Sequence, residues 1–552
     1  MKRFLWLGSV LFLYLICSGC GDTFRPIILP NPPTFPNPAA THTVVSINAN
    51  APLNHQPESP GTAMVVDVSG DTDQSIANVG LAPVHAVQQT ASVVLVANQS
   101  IAGAQADSIT KLIFDSPVIF SSTTITMPVN SAPSFVASTE SAQAYVLLPN
   151  YTVPSVGIVN TSLNTLVTSI PVGSSPVAMA ETPDGKKLYV ANESDSTISG
   201  FNTQTGNLTP RVNSPTSTTS PPIWLSARSD SQMVYALEFN GTLAALTTTS
   251  TAGPDSLTEY PNINVPGATY MVYDSNLNRL YIPGGQEMEI VDVSQSPPGL
   301  LGTINIPPFT PLNSAPVPAT AAAVTDLPDG TRAYVSSYAV LPSSFNVTSV
   351  SGDGTNATYA YTLTAGQNLT AGVSVTVMGT GQSGFDGNLL VGGIISGTTA
   401  CPGTCFQVPN TNLLAPTPVS VSASGSNVFP QVTVVWTDSN TIKTTAALPG
   451  FPDATNENYL QGLFYVPVCA TTRDFVGPKG GPTGGGFRFN MAPGGDSSRA
   501  YFSSCDGGVV DIIDTATDTY ILNLPEPVGT RPPIPPDAQN PPQNTIFLLA
   551  GP

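Results

Sequence analysis

A short apolar strand, usually led by tyrosine, returns through this chain at near-constant intervals. That period constrains the fold more than any other feature. Leu95-Val96-Ala97-Asn98 is followed by Tyr145-Val146-Leu147, Tyr189-Val190-Ala191-Asn192, Tyr235-Ala236-Leu237, Tyr281-Ile282-Pro283, Tyr334-Val335-Ser336 and Tyr501-Phe502-Ser503. The first residues of these segments lie 50, 44, 46, 46, 53 and 167 positions apart. Self-similarity of roughly 40–50 residues marks a repeat architecture, in which each unit buries its apolar faces only against its neighbours.

The fullest unit spans 169–203, SIPVGSSPVAMAETPDGKKLYVANESDSTISGFNT. It reads as an outer strand ending in Ile-Pro-Val-Gly, an inner strand over 177–181, a Pro183-Asp184-Gly185 turn, a strand over 187–191, a polar turn and a strand over 197–201. Asp-Gly between two β-branched runs is a strong hairpin signal, because glycine takes positive φ at no steric cost. Inner strands recur at 132–137, 269–273, 321–325 and 487–492, and the turn returns at Pro328-Asp329-Gly330.

These residues resemble the YVTN family of bacterial β-propeller repeats, whose core is a Pro-Asp-Gly turn followed by Leu-Tyr-Val-Ala-Asn. The resemblance covers 62–524 less one long interval, and it implies an all-β propeller and an envelope location, with little chemistry. Seven units are counted. The segment 62–68 reads as an outer strand without inner strands, of the kind that closes a ring by completing the last blade. The final unit carries its own outer strands over 508–524, however. Seven blades with a redundant strand, or eight with one hidden in the long interval, both fit.

The 167-residue interval marks an insertion. VTVVWTDSNTIKTTAALPG (432–450) aligns with VGIVNTSLNTLVTSIPVG (156–173), so the propeller resumes there. Residues 343–427 are thus placed inside one blade, after its Tyr334 strand. Their Thr, Ser, Val and Gly content and alternating runs suit a small β-sandwich of immunoglobulin-like type. The expected division is a signal peptide (1–19), a lipidated Cys20 with a Pro-rich linker (20–61), propeller (62–342), inserted domain (343–427), propeller (428–524) and a Pro-rich tail (525–552). A short apolar segment in that tail, 546–550, suits an extra docked strand.

Lys2 and Arg3 precede a 13-residue apolar run that ends in Cys17-Ser18-Gly19-Cys20. That run is too short to span a bilayer and suits a signal peptide. Small residues before the cysteine resemble the lipobox of bacterial lipoproteins, which implies acylation of Cys20 and anchoring to a membrane of the cell envelope. The six prolines of PIILPNPPTFPNP suit an extended spacer behind it.

Charged residues are only 9% of the chain and the net charge is −19, so nucleic acid is repelled and is excluded as a partner. His42, His55 and His85 are the only histidines and share no hairpin or helix spacing. No metal site, catalytic triad or cofactor site is built from them. The glycine-rich stretch 477–486 lacks a Gly-Lys-Ser/Thr ending and precedes a strand, so it is read as a surface loop. Asp71, Asp73 and Asp184 are read as turn caps. The repeated tyrosines share one phase, which assigns them to packing between blades. Cys401, Cys405, Cys469 and Cys505 are read as two disulfides, 401–405 and 469–505, in an exported protein. The expectation is a non-enzymatic binding or scaffolding platform with no catalytic residues, engaging an envelope or extracellular protein or glycan. A lactonase-like hydrolase and a cell-surface adhesin are the alternatives.

Overall fold

A computed structural model of the chain describes residues 43–551, apart from 50–59, 100–106, 116–117, 140–141, 250–253, 311–314, 367, 370–373, 399–400, 453–488, 505–508 and 526–543. Among the described residues every regular element is a strand, and the strands form eight antiparallel sheets. The innermost strands are, in ring order, Asn544–Ala550, Pro83–Thr90, Val136–Ala137, Pro176–Glu181, Pro222–Ala227, Val272–Asp274, Thr320–Asp326 and Phe489–Pro493. Each packs on the next and the last packs on the first, which closes a β-propeller. We number the sheets blades 1 to 8 in that order.

Why the tyrosine strand is apolar along its middle follows from its place as the second strand of its blade. Gln143–Leu148, Lys187–Asn192 and Met233–Glu238 are buried at every residue, because neighbouring blades cover both faces. The outermost strand Thr165–Pro171 is half-buried or exposed throughout, as expected of an edge facing solvent.

The strands of a blade alternate in direction. First–second and third–fourth turns therefore share one end of the ring, here the turn end. Second–third turns and the connections between blades share the other, the connection end. In blade 4 the Pro-Asp-Gly turn closes with Thr182 N–H donating to Lys187 O at 2.9 Å and Gly185 N–H donating to Thr182 O at 2.8 Å. Gly185 has φ +67°, Gly330 +69°, and the matching Ser231 and Ser497 about the same at +60° and +61°. A second left-handed position recurs in the third–fourth turns, at Asp71, Asn164, Asn440 and Asp518. Asn and Asp tolerate that conformation better than other side chains.

Two expectations need correction at the closure. Residues 43–49, assigned to the linker, form the strand Thr43–Ala49, which is buried throughout. The strand at 62–68 does not complete the last blade. Pro60–Asp67 pairs with Thr43–Ala49 and Thr72–Leu81, and the C-terminal Asn544–Ala550 joins inside them. The termini thus build an eighth sheet of their own, three strands from one end and one from the other, and among the described residues the long interval holds no further blade. The tail does dock as a strand, from Asn544 onward.

The insertion grows from blade 7. Its second strand, Arg332–Asp353, and third strand, Leu413–Trp436, run on beyond the ring, paired from Arg332↔Trp436 to Asp353↔Leu413. The remaining strands of the insertion join the same hydrogen-bonded path, ordered outward from these two. Phe345, Val347, Tyr359, Val375 and Phe406 from along that path share one core with Phe385. Tyr359 and Phe406 stack at 4.8 Å, and Tyr359 Oη donates to Phe385 O at 2.8 Å. The two layers expected of a sandwich are therefore parts of one curled sheet that is continuous with the blade.

Candidate functional site

The ring axis is lined by the innermost strands and the residues that lead into them, and five aromatic residues there form a row. Phe547 lies 4.8 Å from His85, His85 stacks on Phe135 at 4.0 Å, Phe135 meets Trp224 at 6.0 Å and Trp224 meets Tyr270 at 5.7 Å. Phe135 leads into blade 3 and Trp224 lies in blade 5, so the row skips blade 4. Tyr270 Oη donates to Val324 O of blade 7 at 2.8 Å. His85 is buried, with Nδ1 accepting from Val136 N–H at 3.3 Å. Aromatic rings from five blades thus line the axis in a row, and His85 is one of them.

At the connection end the asparagine of Tyr-Val-Ala-Asn acts as a latch. Asn192 Oδ1 accepts from Gly173 N–H at 3.1 Å, while Nδ2 donates to Thr197 Oγ1 at 3.1 Å and Ser199 Oγ at 2.9 Å. Asn98 does the same with Gly80, Ser108 and Thr110. A Cβ on Gly173 would lie 2.6 Å from Asp195 Oδ2 and 2.7 Å from Asn192 Cγ, so only glycine fits the end of Ile-Pro-Val-Gly.

Blade 5 breaks this rule. Its matching position is Glu238, fully buried, and neither carboxylate oxygen has a partner in hydrogen-bond geometry. Burial, reinforced by the Glu259 carboxylate, pushes Glu238 up to about 7, and the nearby backbone of Ser220 and Thr219 moderates the rise. Glu259 itself accepts from Thr219 N–H at 2.8 Å in the connection from blade 4. In blade 6, burial and then Glu287 push Glu289 up to about 7, and its Oε2 is also without a partner. Sequence reasoning missed these carboxylates. For Glu238 the signal was present in the repeat alignment, where glutamate stands in the asparagine column; Glu289, on a third strand, carried no such mark.

The turn end holds the described cations, and it uses them as clamps between blades. Lys111 Nζ donates to Thr161 O at 2.7 Å, Lys187 Nζ to Ser231 O at 2.7 Å, and Arg228 to Val293 O at 3.0 Å. Arg211 pairs with Asp255 at 2.7 Å, Arg332 with Asp518 at 2.7 Å and Arg499 with Asp71 at 3.0 Å. Arg279 reaches Thr437 O and Asn440 Oδ1, and Lys443 pairs with Asp518 at 2.5 Å. In each of these pairs the donor belongs to one blade and the acceptor to the next. Lys186 completes the set, beside the Asp184 turn.

Of the residues singled out in the sequence, Tyr145, Tyr189, Tyr235, Tyr281, Tyr334 and Tyr501 are all fully buried between blades. Tyr189 Oη donates to Asp255 at 2.9 Å, and Tyr334 Oη bonds Asp518. Asp184 caps its turn, accepting from Thr182 Oγ1 at 2.7 Å and Lys186 N–H at 3.1 Å. Asp71 does more than cap a turn, since it receives Arg499 across the closing seam. Cys401 and Cys405 are joined as a disulfide. Cys20, Cys469, Cys505, His42, His55 and the stretch 477–486 lie outside the described residues. Among the described residues no three metal-ligating side chains converge, and no helix is long and apolar enough to cross a membrane.

No protein-family model matches the chain, and no curated protein matches it in sequence. Similar solved structures include apo AztD from Citrobacter koseri, at 10% identity and TM-score 0.48, covering 92% of this chain and 98% of that one. The periplasmic gluconolactonase PpgL of Pseudomonas aeruginosa aligns at 13% identity and TM-score 0.40, over 54% of this chain and 92% of that one. A functionally unknown protein from Desulfotomaculum acetoxidans aligns at 11% identity and TM-score 0.42, over 59% and 95%. At these values the comparisons assign no residue a role.

Proposed function

We infer that the chain is an extracytoplasmic lipoprotein, anchored through Cys20, whose ring acts as a non-catalytic binding or scaffolding platform. The observation that carries this reading is the pairing of Arg332–Asp353 with Leu413–Trp436 along their whole length, with register shifts only at 347–349 and 350–352. Two continuous strands make a stiff mount, so the ring holds a β domain out past its connection end in a set direction. The aromatic row supports the same reading, because the axis is lined by stacked and edge-on rings in place of a convergent set of acids and bases. The described cations at the turn end, Lys186 apart, are committed to holding blades together.

Affinity capture from an envelope extract tests it, with the soluble Cys20→Ser body as bait beside the same body lacking 343–427. The platform reading expects a saturable partner captured by the first and retained more weakly by the second. Complete loss with the deletion makes the inserted domain the sole contact, as in an adhesin. Lactone or ester turnover that disappears on substitution of a single carboxylate overturns the non-enzymatic reading.

A further inference from the structure

We propose that the far tip of the inserted domain is a docking surface for an apolar pocket on an envelope protein. The proposal rests on the platform reading and names the surface that does the binding. The two long strands run from Arg332↔Trp436 at the turn end of blade 7 to Asp353↔Leu413 at the tip. Two further loops reach the same place. Ser374–Val377 runs antiparallel to Leu413–Trp436 and so delivers residues 378–386 to the tip, while Cys401–Pro409 delivers 410–412 by pairing Pro409 with Asn356. Asn410 ties the loops together. Its N–H donates to Thr355 O at 3.0 Å, its Nδ2 donates to Gly384 O at 2.8 Å, and its Oδ1 accepts from Asn412 N–H at 2.8 Å. Loops on a rigid scaffold are the usual place for recognition, and loops held this way lose little freedom on binding.

What the tip presents is apolar and uncharged. Leu413, 79% exposed, is the most exposed large hydrophobic residue described, and Met378 is 57% exposed. The other seven described methionines are at most 8% exposed, so among the described residues methionine reaches the surface only here. Residues 343–427 hold two charged side chains, Asp353 and Asp386, so of the net −19 they carry −2 and the rest of the chain −17. Both acids are spent inside the loops. Asp353 Oδ1 accepts from Thr355 N–H at 2.8 Å and Asn356 N–H at 2.7 Å, and Asp386 accepts from Gly379 N–H at 3.0 Å and Thr380 N–H at 2.8 Å. An ionic partner therefore finds little to pair with. A sugar finds no ring to stack on, because Phe345, Tyr359, Tyr361, Phe385 and Phe406, the aromatic residues of the domain, are all buried. Two large apolar side chains on a rigid, neutral tip match an apolar pocket in a protein, where the flexible thioether adapts to the walls.

The test replaces Leu413, or Leu163 on the ring (71% exposed), with the photocrosslinker benzoylphenylalanine in the soluble Cys20→Ser chain, and irradiates each in envelope extract. A saturable protein adduct is expected from position 413 and none from 163. The unlabelled chain should compete for that adduct, and Met378→Gln with Leu413→Gln should compete about tenfold less well. Val129→Gln with Leu163→Gln, apolar residues exposed on the ring, should compete within about twofold of the unchanged chain. Peroxide supplies an arm without substitution, since sulfoxide formed at the exposed Met378 should weaken competition in the same sense. Equal adducts from both positions, an adduct with the mass of a glycan or a lipid, or full competition by the tip variant overturns the proposal. A partner retained undiminished by the tip variant in affinity capture leaves the platform standing and removes only this surface. No partner retained by any form removes both.

Discussion

At the scale of single residues the ring depends on backbone positions that few side chains accept. Gly330 has φ +69°, and a methyl group added there would meet open space, so conformation alone decides what the position tolerates. Gly330→Ala should therefore cost about 1 kcal/mol, the left-handed penalty, and Gly330→Asn about half of that. Urea unfolding of the two variants checks this. Equal losses would mean that something other than φ holds the position. Gly173 is a different case, because a Cβ there meets the latch itself, Asn192 Cγ at 2.7 Å, and Asp195 Oδ2 at 2.6 Å. The same glycine letter thus reports strain at one site and crowding at another.

At the scale of elements the repeated device is the clamp from the start of one second strand to the third–fourth turn of the next blade. Arg332 and Tyr334 of blade 7 both reach Asp518, which also receives Lys443 and sits at φ +54°. Removing the acceptor strands two cations at a buried seam. Asp518→Ala should cost about 3–5 kcal/mol, the range for breaking a buried pair from one side. Asp518→Asn keeps the turn conformation and an acceptor, and should cost clearly less. A double-mutant cycle with Arg332→Met isolates the pair, and a loss below about 1 kcal/mol for Asp518→Ala would show that the clamp is ornamental.

At the scale of the whole molecule, burial of lone carboxylates sets the response to pH. Glu238 and Glu289 are held up to about 7, and burial alone raises Asp511 to about 8. For an acid with a raised folded pKa, the native state binds its proton more tightly than the unfolded chain. Stability is therefore highest below the unfolded value and falls as pH rises through the folded one. Asp184 and Asp386 behave oppositely. Despite some desolvation, hydrogen bonds from Thr182 and Lys186 and from Thr380 and Gly379 depress them, so their contribution vanishes as pH drops below the usual carboxylate range. The melting temperature should peak near pH 5 and decline toward pH 8 by an amount reflecting a few kcal/mol. Asp511→Asn should flatten the decline between pH 7 and 8, and a profile that rises across that interval would contradict the assignment.

How much of this could be read from the residues divides along one line. The period, the turn chemistry and the phase of the tyrosines are local, and each strand carries its own pattern because burial on both faces leaves an apolar run wherever it occurs. The propeller, the insertion after Tyr334 and the packing role of the tyrosines were legible for that reason. Thr43–Ala49 was not, since a short strand beside a proline-rich stretch has no local mark of its own. It is ordered by pairing with Pro60–Asp67 and with Asn544–Ala550, almost 500 residues away in sequence. The closing blade and the clamps between blades are equally long-range. A glutamate in an asparagine column is visible in the sequence. Only the tertiary structure decides that it is buried without a partner, on the face that carries no described cation, because burial is a property of the neighbours and not of the residue.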